Sequence, residues 1–251
     1  MENIIKHSSE PAPSTGESLL NTGYWLALFL FIVPSVAHFF VVLVGLALVP
    51  ADAQSTQGVT LDKSPVYWAV SAAVAAAMLY PLLKFPLRTS DFATTSKRLG
   101  FTTIRTKPLL LSLLATCVYL AIETLVITIA GIEEPAFVVE LAAQMDSVTN
   151  ILMLFLATVI IAPVVEETIF RGVAFYRLKH TRLGVSGAII VPSVIFALVH
   201  LQYEQLSVFV LLFLSAIMLG VIRHVTNNLW YCIWVHMLMN LVVFSELVTS
   251  I

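Results

Sequence analysis

Charge is scarce in this chain. Of 251 residues, 13 are Lys or Arg and 15 are Asp or Glu, 11% in all, where a soluble domain carries about a quarter. The formal net charge of −2 offers no basic surface to a nucleic acid, which excludes that class of partner. Cysteine is scarcer still. Cys117 and Cys232 are the two, each inside an apolar run, so a disulfide framework is excluded and buried free thiols are expected. Internal repeats and low-complexity segments are absent. A secretory signal is missing from residues 1–20, which hold Glu2, Lys6, Glu10, Glu17, Pro11 and Pro13. They read as part of a polar, disordered cytoplasmic tail over 1–22. The run that follows, from Tyr24 to Val49, is too long for a cleaved apolar core.

What the chain has in excess is apolar sequence: 59% hydrophobic residues and a mean hydropathy of +0.95. It gathers in seven segments, near 23–49, 66–83, 108–130, 148–170, 185–201, 206–222 and 228–249. Most approach the roughly 20 residues of a membrane-crossing helix. Helices satisfy every backbone group within the segment, as lipid demands. The expectation is an all-α polytopic transmembrane bundle of about seven spans, with N-terminal membrane helices over 23–147 and a distinct helical core over 148–251. The fifth and sixth segments are the short ones, so one of them is expected to tilt or re-enter.

The connections carry an orientation signal. Lys84, Arg88, Lys97, Arg98, Arg105 and Lys107 follow the second segment. Arg171, Arg177, Lys179 and Arg182 follow the fourth, and Arg223 the sixth. With seven spans these fall on one side, opposite Asp52, Asp62, Glu133, Glu134, Glu140, Asp146, Glu204 and Glu246, where Lys63 is the lone cation. The positive-inside rule then places the N-terminus in the cytoplasm and the C-terminus outside. Trp25, Trp68, Trp230, Tyr231 and Trp234 fit anchoring at the membrane interfaces.

Charged residues inside a span cost about 2.5–3.5 kcal/mol each on insertion scales. The fourth segment accepts that cost in Pro163-Val-Val-Glu166-Glu167-Thr-Ile-Phe-Arg171. Glu167 and Arg171 are four apart and share a helical face, so they can pair. Glu166 lies about 100° around the helix and is left for another partner. Pro163 removes a backbone bond to Val159 and is expected to kink the helix ahead of the pair. Two adjacent carboxylates could simply mark the end of a span. The fifth segment, however, contains Phe196 and His200, and the seventh contains His236 and Asn240 on one helical face. Glu167 lies 16 residues before Leu183, and His200 lies 16 after Gly184. At 1.5 Å per residue each is about 24 Å from that turn, so the two reach matching depth in an antiparallel hairpin.

Glu-Glu-x-x-x-Arg, Phe-x-x-x-His and His-x-x-x-Asn, in this order on successive membrane helices, resemble the three motifs of the CPBP family. These are the CAAX prenyl proteases and bacteriocin-processing enzymes, also called Abi. The resemblance covers about 150–245 and implies an intramembrane endopeptidase acting on peptide or protein substrates. It implies a multi-pass location, expected to be a plasma membrane of bacterial type.

Within that chemistry, a carboxylate in a low-dielectric pocket is suited to take a proton from water. Glu166 is the expected base and His200 orients the water. Glu167 held by Arg171 is structural or electrostatic, Phe196 is supporting, and His236 and Asn240 donate to the oxyanion. A metal-dependent version stays open, with Glu166, His200 and His236 as a zinc set, although His-Glu-x-x-His is absent. Two other functions stay open: a scaffold or bacteriocin-immunity protein of the same fold, and a transporter or proton relay using Glu123, Glu166, Glu167 and the histidines. His38 reads as structural, and His180 and His224 as solvated at helix ends. Glu123, inside the third segment, either bonds within the bundle or lines a substrate path.

Overall fold

The computed structural model describes residues 15–48 and 64–249. Asp52, Asp62, Lys63 and most of the polar tail lie outside the described residues. Among the described residues the chain is all helical. Six helices are long and apolar enough to cross a membrane: α1 (Leu19–Leu48), α2 (Pro65–Leu87), α4 (Thr106–Ala130), α6 (Val148–Lys179), α8 (Leu206–Thr226) and α9 (Leu229–Thr249). Three shorter helices join them: α3 (Phe92–Leu99), α5 (Ala136–Ala142) and α7 (Gly184–Leu198). The chain is a multi-pass helical membrane protein. The fifth expected span is α7, 15 residues long, or about 22 Å at helical rise, shorter than the hydrocarbon core. His200 therefore lies beyond its helical end, in the turn before α8. One further helical turn, from Thr15, precedes the apolar span of α1.

Helix α6 is the hub, packing against α1, α2, α7, α8 and α9. Its start follows from local chemistry: the Ser147 hydroxyl accepts from the Asn150 N–H at 3.2 Å, and Asp146 Oδ1 accepts from Asn150 Nδ2 at 2.7 Å. Its interior is irregular. Wider π turns at Leu156–Ile161 and Thr168–Ala174 bracket a short α segment, Ala162–Glu167, that carries both glutamates. Such turns add a residue to the helical repeat and so re-aim the side chains that follow them.

Three arginines tie one end of the bundle together. Arg177 donates to Thr22 Oγ1 at 2.7 Å, to Asn21 Oδ1 at 2.8 Å and to the Pro86 carbonyl, linking α6 to α1 and α2. Arg223 of α8 donates to the carbonyls of Arg171 (2.9 Å) and Leu99 (3.2 Å) and to Asn227 Oδ1. Arg105 reaches α9 through its backbone, whose N–H and carbonyl both bond the Tyr231 hydroxyl. The basic connections thus gather at the end of the bundle where α1 begins. Gly100 makes the close approach to Arg223: its φ is +96°, and a Cβ there would run into the guanidinium.

Several sequence expectations are corrected. Tyr231 is buried, 2% exposed, and braces the Arg105 backbone instead of anchoring at an interface. Trp68 is half-buried and lines a cavity. Cys232 is buried, but Cys117 is exposed on the bundle surface. His38 does bridge α1 to α2, with Nδ1 3.2 Å from Ser71 Oγ.

Candidate active site

The two adjacent glutamates have opposite environments. Glu167 is fully buried. Its Oε1 accepts from Arg171 Nη1 at 2.8 Å and lies 2.9 Å from His236 Nδ1. Arg171, 2% exposed, spends its second amino group on the Ala216 carbonyl at 2.9 Å. The charge of Glu167 is thus balanced inside the protein, as a buried carboxylate requires. Its Oε2 is buried without a hydrogen-bond partner among the described residues. The Glu166 side chain keeps 26% of its surface exposed. It lines a cavity of about 340 Å³ shared with His200 and walled by α1 and α2 through Phe29, Pro34 and Ala75.

His236 stands between the two carboxylates. With Nδ1 donating to Glu167, its ring is fixed and Nε2 points toward Glu166, 3.8 Å from Oε2. That gap exceeds a hydrogen bond. A carboxylate behind one ring nitrogen sets the tautomer and the aim of the other, the logic of catalytic histidines in general. His200 is aimed in a similar way: its Nδ1 lies 2.7 Å from the Phe196 carbonyl. The Phe196 ring packs on both histidines, with centroids 4.6 Å from His200 and 5.8 Å from His236, and the Arg171 guanidinium sits 5.1 Å over its face.

Asn240 answers a defect in α6. The Ala162 N–H bonds back to the Ala157 carbonyl, five residues away, and so bypasses Thr158. In that register the next donor toward Thr158 would be residue 163, a proline with no N–H. The Thr158 carbonyl accepts from Asn240 Nδ2 at 2.8 Å instead. The opened carbonyl is therefore that of Thr158, not Val159. A parallel arrangement closes the second π turn: the Phe175 N–H bonds the Phe170 and Gly172 carbonyls, and Arg223 takes up the Arg171 carbonyl between them. Each irregularity in α6 is held by a polar side chain from α8 or α9.

All seven sequence candidates, Glu166, Glu167, Arg171, Phe196, His200, His236 and Asn240, meet around the middle of α6. The pairing differs in one respect from the depth estimate: Glu166 shares a cavity with His200, while Glu167 turns to His236. A metal fits poorly. No three His, Cys, Asp or Glu groups among the described residues come together as a ligand set, so Glu166, His200 and His236 are not assembled as one.

A protein-family model described as Rce1-like, "Type II CAAX prenyl endopeptidase Rce1-like", matches residues 148–242. Over this segment the chain is similar to the CAAX prenyl endopeptidases. No curated protein and no solved structure matches the chain. The matched segment begins at the first turn of α6 and ends in α9, so it contains all seven candidates.

Sequence reasoning missed two contributors. Arg223 reads as a loop cation, and only Asn227 four residues on hints at its buried bond. Tyr203 stacks near His200, with centroids 6.1 Å apart, and lines a cavity with His236. Nothing in its sequence neighbourhood marks it.

Proposed function

We propose that the chain is an intramembrane endopeptidase that hydrolyses peptide bonds of membrane-associated or peptide substrates, with Glu166 as the base that activates water. The observation that carries this reading is the division between the glutamates. Glu167 is neutralised by Arg171 and His236, while Glu166 faces a cavity with His200 and is free to take a proton. His200 orients the same water. Water attacks the scissile carbonyl carbon, its proton passes to Glu166, and the tetrahedral oxyanion forms. His236 Nε2, when protonated, donates to that oxyanion, and Asn240 contributes the N–H left over from Thr158. The Glu166 carboxylic acid then returns the proton to the departing amine. Each interaction asks only for groups already held in place by a second partner, which is how a preorganised site lowers a barrier.

No step is routed through a metal. A prenylated C-terminal peptide is the substrate class suggested by the family's description, and a leader-type peptide is the other class to be tried. The positive-inside rule places the arginine-tied end, and with it the N-terminus, in the cytoplasm. Cleavage of quenched fluorescent peptides of both classes, by the protein reconstituted in nanodiscs, tests the proposal. Cleavage by the wild type that is lost in Glu166→Ala, with folding retained, supports it; equal cleavage by both variants contradicts it.

A further inference from the structure

One ionisable residue in the membrane stands outside this mechanism. Glu123 lies within α4, the third long helix, about two turns before its C-terminal end, and an intramembrane carboxylate is retained against a considerable insertion cost. Among the described residues no cation pairs with it. Among the described residues its hydrogen-bond partner is the Tyr119 hydroxyl at 3.3 Å, a long bond, and that hydroxyl also donates to the Leu211 carbonyl at 2.8 Å. Glu123 instead borders a second cavity, of about 230 Å³, that His236 also lines and Glu166 does not. Trp68, Tyr203, Ser215, His236 and Asn240 share its wall. Among the described residues lining this cavity Glu123 is the one carboxylate, and the rest of the wall is mainly aromatic and aliphatic. His236 and Asn240, the residues assigned to the oxyanion, also line this cavity, so a substrate presenting its carbonyl to them has room to extend one of its side chains into it.

We propose that this cavity is a substrate subsite and that Glu123 is its specificity residue, selecting a cationic side chain close to the scissile bond. The inference rests on the protease reading above and deepens it by naming a substrate class. An apolar wall receives the methylene stem of a lysine or arginine, and the carboxylate receives its head. The bound cation supplies the counter-charge that Glu123 otherwise lacks. A neutral side chain of equal length fills the same space but leaves the carboxylate unpaired, which is the stronger basis for rejection.

The test uses the full chain in nanodiscs and a peptide set in which Lys, acetyl-Lys, norleucine or Glu is placed in turn at each position flanking the cleaved bond. The wild type is expected to prefer Lys over acetyl-Lys at one position by about tenfold or more in kcat/KM, chiefly through KM. Glu123→Gln, which keeps shape and a Tyr119 partner, is expected to erase that preference while still cleaving the norleucine peptide. Glu123→Lys is expected to turn it toward Glu. Cleavage with no charge preference at any position, or a preference that Glu123→Gln retains, overturns the assignment of Glu123 and leaves the protease reading standing. The Lys against acetyl-Lys comparison needs no variant, so it decides even where a substitution fails to fold. Failure of the wild type to cleave any peptide overturns both.

Discussion

Helices α4 and α6 look alike as strings of apolar residues, yet they serve different ends. On α4, Leu110, Leu111, Leu114, Val118, Ile122 and Leu125 are all more than half exposed, a surface suited to lipid. Its two buried residues, Ser112 and Thr116, bond only to carbonyls one turn back in their own helix. On α6 the buried set includes Glu167, Arg171 and Arg177, and each bonds to another helix. Hydropathy locates both spans equally well. The two helices differ in where their buried polar residues find partners, within the helix on α4 and on other helices for α6, because lipid offers them none.

That contrast can be broken at its strongest point first. Glu167→Gln or Arg171→Leu removes one member of a buried pair, which costs about 3–5 kcal/mol. Thermal unfolding in detergent should show a large loss of stability for either variant, whereas Ser112→Ala on α4 should be almost silent. Equal effects on the two helices would dissolve the distinction. Next comes Gly100→Ala, which forces a side chain into a left-handed backbone and against Arg223 at a cost of about 1–3 kcal/mol. The same melt measures it, and an unchanged midpoint would mean that Arg223 does not pin α3 to α6. Asn240→Ala leaves the Thr158 carbonyl unpaired and should cost a smaller amount, about 1–2 kcal/mol. Cleavage should fall with it, but less than for Glu166→Ala; a variant as stable as the wild type would show that the π turn closes without Asn240. The smallest effect is expected from exhaustive chelation, which should leave cleavage unchanged. Loss of activity restored by zinc would return Glu166, His200 and His236 to consideration as ligands.

The sequence made the fold legible wherever a simple spacing rule held. Apolar runs near the length of a bilayer-crossing helix locate the six long helices, and the interval from Glu167 to Arg171 states their pairing outright. His236 and Asn240 share a face as the period requires. Their partners were not legible, since two π turns in α6 shift the register, and no periodicity argument from an ideal helix reaches Thr158 or sets Glu167 against His236. The short α7 was visible as a short segment. Arg223 and Tyr231 were misread for one shared reason: position near a helix end suggests solvent or interface, but here loops fold back over those ends and bury them.

The central claim is that adjacent carboxylates divide the work, Glu167 holding the site and Glu166 reacting. It is tested most directly by Glu166→Gln and Glu167→Gln measured side by side in one nanodisc preparation, for unfolding midpoint and for peptide cleavage. The account predicts that Glu166→Gln melts like the wild type and loses cleavage by about a hundredfold or more, while Glu167→Gln melts at a distinctly lower temperature. A stable Glu167→Gln with no activity beside an active Glu166→Gln would contradict it.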